Sequence, residues 1–472
     1  MPEAVLGIDA GTGSLKAGLF RLDGVPLGIA RAGYGVISPQ PDAREQDPLA
    51  VWSALVTTCR DVLDRAPAGT QVLAMSVGGQ APSLVPVDAN LQHTHPAITW
   101  LDPRPAAEAE RLYARLGQPV PVWGSWPAQC AWFTRNRPEA MRHTRWFLGC
   151  PDYLTSRLIC SATALLGVSD AELAAGDLDG SRFPPEWTPG TVVGELCAVA
   201  ATDLHLPAGT PVVGGHVDGL LGVLGSGVSR PGDACINAGT SGTFSVVCQP
   251  PLGYPMFGVN VAGTAANTSG AALDWFISNI HPADENYADV LACAASIPAG
   301  SDGLLFLPHL AGERGATADA HARGAWVGLT LGHDRRHLLR ALLEGVAFSF
   351  RSMQDWLEES GAPVDDVRCV GGQAHSDIWN QIKSDVLNRS LLVPEVHEAA
   401  VAGAAVLAAF GINAYSDIWD AARNMVHIQR RFEPDPERAT LYADLLALYR
   451  SLYPALRDTN WRLHDINVHR HR

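Results

Sequence analysis

One short pattern occurs twice in this chain: Ile8-Asp9-Ala10-Gly11-Thr12-Gly13-Ser14, and again Ile236-Asn237-Ala238-Gly239-Thr240-Ser241-Gly242. Each copy follows an apolar run of strand type, Ala4 to Ile8 in the first case and Ala234 to Ile236 in the second. Glycine lets the backbone turn sharply there and bring its N–H groups to a small anion. One such turn commonly does no more than close a hairpin. Two of them half a chain apart predict two related lobes that face each other and grip a phosphate from both sides.

With 472 residues, 47% of them hydrophobic, the chain is long enough for two to four domains and more than one core. A formal net charge of −15, with no basic stripe to reverse it locally, argues against nucleic acid or an anionic membrane surface as a partner. Glu3 and Asp9 bracket the first apolar run, which reads as a first strand and not as a signal peptide. The longest apolar run, Ala399 to Ile412, is rich in Ala and Gly and too short to cross a bilayer, so it predicts a buried helix. The 9 cysteines are dispersed without a C-x-x-C pair, which points away from a disulfide framework or a zinc site and towards the cytoplasm. The oligomeric state is open, and a homodimer is compatible with the sequence.

Short strand patterns alternate with helical periodicity throughout, as expected for α/β layering. The clearest strands are Val72 to Val77, Ala97 to Leu101, Val212 to Gly215 and Val367 to Gly372; the strongest helix runs from about His337 to Ser360. Helical periodicity near the C-terminus ends around Arg457. The glycine-rich segment Gly222 to Gly232 precedes the second turn, so the domain junction and a hinge are expected near Gly225 to Val228, dividing the chain into residues 1–227 and 228–472.

Phosphoryl transfer needs a carboxylate for a metal, N–H groups or a cation for the phosphates, and a base for the acceptor. Asp9, in the first turn, is the candidate for the metal, and Lys16 for a phosphate. Alone, each would more often be a turn-capping Asp and a solvated Lys; their joint placement around Gly11-Thr12 favours the functional reading. Asp218, in Val213-Gly214-Gly215-His216-Val217-Asp218-Gly219, follows a buried-type strand and is the candidate base, against the bland alternative of an Asx turn.

Across nearly the whole chain the order and spacing of motifs resemble the FGGY carbohydrate kinases, of the sugar kinase, heat-shock chaperone and actin superfamily. The resemblance rests on Ile8 to Phe20, Gly79-Gln80, Ala97 to Arg104, Asp152-Tyr153-Leu154, Gly214 to Gly227, Asn237 to Gly242, Gly303 to Arg314, Ala322 to Leu329, Leu343 to Phe348, Gly371 to Ser376 and Glu398 to Ala405. It implies two actin-like, ribonuclease H-like α/β domains with a deep cleft and hinge, ATP with Mg²⁺ mainly on the C-terminal domain and a sugar mainly on the N-terminal one. By the same resemblance, Asp9 would hold Mg²⁺ through water, Gly11, Thr12 and Ser14 would contact the phosphates, and Gly239 with Thr240 would close on them. Asp218 would be the catalytic base. Gly371 and Gly372 would seat adenosine, with Gln373 and Ser376 nearby. Gln80, Ala81, Trp100, Asp102 and Arg104 would lie on the sugar side with Asp218, although Trp100 reads equally as a core aromatic and Asp102 with Arg104 as a structural ion pair.

Members acting on xylulose usually carry Met-His after the glutamine that aligns with Gln80, and this chain has Ala81-Pro82. Gln129-Cys130 stands before Trp132 in a segment one residue shorter than the family signature, where a lysine is expected, and Pro151 stands where lysine is common. All three departures fall in the first domain, on or near the acceptor side, so they bear on which sugar is used more than on whether phosphate moves. The expected activity is ATP-dependent phosphorylation of a pentulose such as D-xylulose. Ribulose, erythritol, glycerol or a catalytically silent sensor of the same fold are the alternatives.

Overall fold

The computed structural model describes residues 2–121, 124–280, 287–315 and 318–470, without the side chains of 467–470. It divides into two compact units, Met1–Gly225 with Ala399–Met425, and Ser226–Glu398 with Val426–Arg472. The first crossing lies between Gly225 and Ser226, and residues 399–425 group with the first unit.

The first unit is built on a 6-stranded sheet with strands in the order Pro26–Gly33, Ser14–Arg21, Glu3–Ala10, Gln71–Gly79, Pro211–Val217 and Val192–Glu195. The first three form an antiparallel meander, the next two add in parallel, and the last is an antiparallel edge. The second unit repeats the scheme with one more edge strand: Tyr254–Met256, Val259–Ala266, Gly242–Cys248, Ala234–Ala238, Val367–Val370, Leu391–Pro394 and Ile428–Phe432. Antiparallel pairing again covers the meander and parallel pairing the two strands after it. The paired turns in the sequence therefore mark a repeat of a whole architecture.

Burial on both faces explains why the central strands are nearly continuous apolar runs. In the first unit Leu6, Ile8, Leu15, Leu19 and Val77 pack with Leu55 and Val62 of the helix Pro48–Asp64. The opposite face is covered by the helix Ala399–Gly411, the buried helix expected from the apolar run. It lies unusually close to the helix Asp218–Leu224: a Cβ on Gly403 would stand 2.0 Å from the Leu221 carbonyl oxygen, and one on Gly225 1.8 Å from that of Ala399. In the second unit the long helix Arg335–Glu359 buries Leu339, Leu342, Leu343, Val346, Phe350 and Met353 against the sheet, within a residue or two of the expected span.

Three local expectations change. Ala97 to Leu101 is a strand only at Ala97–Ile98, because Trp100 and Leu101 turn outward into a polar loop that ends on Asp102. The C-terminal helix does not stop near Arg457 but runs Pro436–Arg470 through Pro454. One disulfide, Cys160–Cys197, joins the end of the helix Cys150–Ile159 to the residue before the helix Ala198–Leu204, and the other seven cysteines are not in disulfides. Such a pairing is a tertiary proximity that cysteine spacing does not encode. No helix among the described residues is long and apolar enough to cross a membrane.

Candidate active site

In the first unit the strands Glu3–Ala10 and Ser14–Arg21 are joined by Gly11, Thr12 and Gly13. The register sets Asp9 opposite Lys16, so the two side chains are cross-strand neighbours on one face. Asp9 is buried, and a Cβ on Gly11 would lie 4.0 Å from its Oδ2, which places the carboxylate beside the turn.

Every carbonyl of that turn accepts a hydrogen bond. Tyr34 Oη–H donates to Gly11 O, Gln46 Nε2 to Thr12 O, Tyr34 N to Gly13 O at 3.2 Å, and Gly11 N to Ser14 O at 3.1 Å. Among the described residues the N–H groups of Thr12 and Gly13 donate to no protein acceptor. The turn therefore shows donors outward, as an anion site requires.

Asp218 opens the helix Asp218–Leu224, directly after the strand Pro211–Val217. It is half-buried, and its Oδ1 accepts from the Gly219 N–H at 2.7 Å. Burial pushes its carboxyl above the usual carboxylate range, against that hydrogen bond. Burial holds the neighbouring His216 down at about 4, so it is neutral at pH 7. The two acids belong to one neighbourhood. The Tyr34 phenol is pushed up by burial and then by Cys150, Asp9 and Asp218, and the Cys150 thiol is pushed up to about 12 by burial, with Asp152, Asp9 and Asp218 adding to it.

The acceptor-side candidates divide into two groups. Gln80 is buried beside the turn: its N–H donates to Ala10 O at 2.9 Å and its Nε2 to Gln46 Oε1 at 2.7 Å, leaving Gln80 Oε1 buried with no protein partner. Gln129 behaves alike, with Nε2 donating to Pro82 O and Thr99 O at 3.2 Å each and Oε1 unpaired. Ala81 offers only a methyl group next to the cis peptide bond to Pro82. Trp100 reaches the first turn, its Nε1 donating to Thr12 Oγ1 at 2.9 Å. Asp102 and Arg104 are the structural ion pair: Arg104 Nη2 lies 2.6 Å from Asp102 Oδ2 and 2.7 Å from Glu45 Oε1, all three side chains are buried, and the guanidinium lies 4.6 Å from the Trp132 ring centroid.

The second turn, Gly239 to Ser241, also has occupied carbonyls. Gly239 O accepts from Gly270 N at 2.9 Å, and Thr240 O from Ser269 N and Ala271 N at 3.0 Å each, so the start of the helix Gly270–Asn279 caps it. The N–H groups of Thr240 and Ser241 donate to no protein acceptor among the described residues. Gly371 follows the parallel strand Val367–Val370 with φ +85°, and a Cβ there would stand 3.0 Å from Ala238 O, which brings this turn against the end of the first strand of its sheet. Gly372 has no atom within 4 Å of its Cβ position and is open. Gln373 is buried and donates to Ser269 Oγ at 2.6 Å, and Ser376 caps the helix Asp377–Leu387 through Trp379 N. Gln373 Oε1 is left buried with no protein partner.

Tyr34 and Gln46 escaped sequence reasoning because each reaches the turn from a distant segment, and Cys150 because it meets Gln80 from one. The only trace is Glu45-Gln46-Asp47-Pro48, which reads as a helix start and hides Gln46.

A repeated sheet, a turn with unpartnered N–H groups in each unit and a half-buried carboxylate after a strand are the parts that a nucleotide-dependent phosphotransferase uses. Residues 4–225 match the N-terminal domain of the FGGY family of carbohydrate kinases, and residues 234–412 its C-terminal domain. The chain is 27% identical to a gluconokinase of Bacillus subtilis, covering 98% of both chains, and 27% identical to a xylulose kinase of the same organism, covering 97% of this chain and 98% of that one. The crystal structure of xylulose kinase from Rhodospirillum rubrum superposes with a TM-score of 0.84 at 28% identity, covering 97% of this chain and 99% of that one. The chain belongs to the FGGY family of carbohydrate kinases. It is a phosphotransferase with ATP as donor and an alcohol group of a small sugar as acceptor.

Proposed function

We propose that the acceptor is a neutral keto-sugar, a pentulose such as D-xylulose, with Asp218 as the base. The observation that carries the reading is the pairing of a donor-lined turn with two carboxylates, Asp9 and Asp218, that share one electrostatic neighbourhood. The unpaired Oε1 atoms of Gln80 and Gln129 want donors, which sugar hydroxyls supply. Arg104, the cation on the acceptor side, has its charge balanced by Asp102 and Glu45, while its Nη1 is buried without a protein partner and is the donor a sugar acid would use. The gluconokinase relative makes an aldonate the second reading.

In this mechanism Asp218 takes the proton of the attacking hydroxyl as its oxygen bonds to the γ-phosphorus and the bond to the β-bridging oxygen breaks, releasing ADP. The first turn is assigned to the phosphates through the N–H groups of Thr12 and Gly13 and the hydroxyls of Thr12 and Ser14, with Gly11 shaping the turn; Gly239 and Thr240 are assigned to them likewise, and Gly371 with Gly372 to adenosine. No group of three or more His, Cys, Asp or Glu among the described residues forms a cage for a metal. One or two carboxylates with waters and phosphate oxygens are what Mg²⁺ uses, so Asp9 fits as a water-mediated holder. When bound, Mg²⁺ neutralises charge on the phosphates.

A panel of pentuloses, gluconate, glycerol and erythritol, read as ADP release, tests the assignment. Release that depends on a pentulose supports it. Dependence on gluconate selects the second reading, and none across the panel sinks kinase action on these acceptors.

Two further results are expected. A Cβ on Gly239 would have only Ser241 O near it, at 3.6 Å. Gly239→Val should therefore keep the wild-type melting temperature yet weaken MgATP binding on the order of tenfold, by crowding the phosphates alone. Unchanged affinity by calorimetry would remove the second turn from the phosphate site. Because Asp218 must be ionised to act and its pKa is raised, log(kcat/KM) should fall with a slope of one on the acid side, with its midpoint above the reference of about 3.9. Activity that is flat down to pH 4 would contradict this.

A further inference from the structure

The hydroxyls of Thr12 and Ser14 are each approached by a group that can only donate. Trp100 Nε1 donates to Thr12 Oγ1 at 2.9 Å, and Arg31 Nε to Ser14 Oγ at 3.0 Å. Neither hydroxyl donates to a protein acceptor among the described residues. An indole N–H and a guanidinium have no lone pair to offer, so each hydroxyl is fixed as acceptor on its inner side and keeps its own hydrogen for an outside partner. The four carbonyls of the turn are occupied as well, two of them by Tyr34 and one by Gln46. Each of these oxygens thus has one acceptor position filled, while the two hydroxyl hydrogens and the Thr12 and Gly13 N–H groups stay available as donors.

We propose that Trp100 and Arg31 are positioning residues that set the hydrogen-bond polarity of the phosphate turn, and that Trp100 serves the phosphate side through Thr12 in place of the sugar-side role read from the sequence. This rests on the phosphate reading of the first turn given above. A hydroxyl held in this sense meets a phosphate oxygen without first reorienting, which is the advantage of a preorganised donor. Trp100 is 38% exposed, so burial is not its main contribution.

The test is a double-mutant cycle on the full chain with Trp100→Phe, which keeps the ring and removes the N–H, and Thr12→Val, which keeps the shape and removes the hydroxyl. Trp100→Phe should lower kcat about 3- to 10-fold with the acceptor KM unchanged. Thr12→Val should cost on the order of 10²-fold. In the Thr12→Val background, Trp100→Phe should cost less than about twofold, because the hydroxyl it orients is gone. Arg31→Met with Ser14→Ala should show the same non-additivity. Equal losses in both backgrounds, or a Trp100→Phe loss confined to acceptor KM, would overturn the proposal. If no acceptor is phosphorylated, the kinase reading fails on its own, and the cycle is read on MgATP affinity by calorimetry. Coupled losses there uphold the role of Trp100, and additive or absent losses refute it.

Discussion

Replacing Asp218 with Asn is expected to lower kcat by about 10²–10⁴-fold, the range that a positioned base contributes. MgATP and acceptor binding should survive, since the amide keeps the shape and the oxygen that accepts from Gly219 N. The variant should also melt no lower than the wild type at pH 7. The sign follows from the raised pKa: the folded carboxyl holds its proton to higher pH than the unfolded one, so its ionised form opposes folding at every pH above the folded value. A base held ionised at some cost in stability accords with a functional site. Retention of more than about a tenth of the wild-type kcat would fall short of that contribution and remove Asp218 from the role.

The second large effect is on packing. Gly403 sits inside the helix Ala399–Gly411, where an alanine would normally stabilise by about 1 kcal/mol. Here Gly403→Ala should destabilise instead, because its Cβ would stand 2.0 Å from Leu221 O, and overpacking costs about 1–3 kcal/mol or more. Gly225→Ala, 1.8 Å from Ala399 O, should behave alike. The helix being pushed away is the one that begins with Asp218, so kcat should fall with stability. Denaturant unfolding decides the matter, and a stabilised Gly403→Ala protein would disprove the close helix contact.

The repeated glycine-threonine turn was legible because a strand followed by glycine is a local signal, and both copies did become hairpin ends in matching sheets. The helix over His337 to Ser360 was legible for the same kind of reason, a periodicity contained in one segment. Asp102 and Arg104 could not be assigned from sequence, since the partner that decides them, Glu45, lies 59 residues from Arg104. The register that sets Lys16 opposite Asp9, and the bonds from Gln373 to Ser269 and from Trp379 N to Ser376, likewise join segments that local sequence does not connect.

From the sequence alone came the two α/β lobes, the turn in each, the acid after the strand Pro211–Val217 and the family, because each is carried by residues adjacent in the chain. Tertiary structure alone decided that residues 399–425 return to the first unit and that Tyr34, Gln46, Trp100 and Arg31 converge on one turn. The physical reason is that hydrogen-bond polarity is a property of all the donors and acceptors around a group, and here they arrive from separate strands and loops. A turn's shape is written locally; what it presents to a phosphate is set by what the fold brings against it.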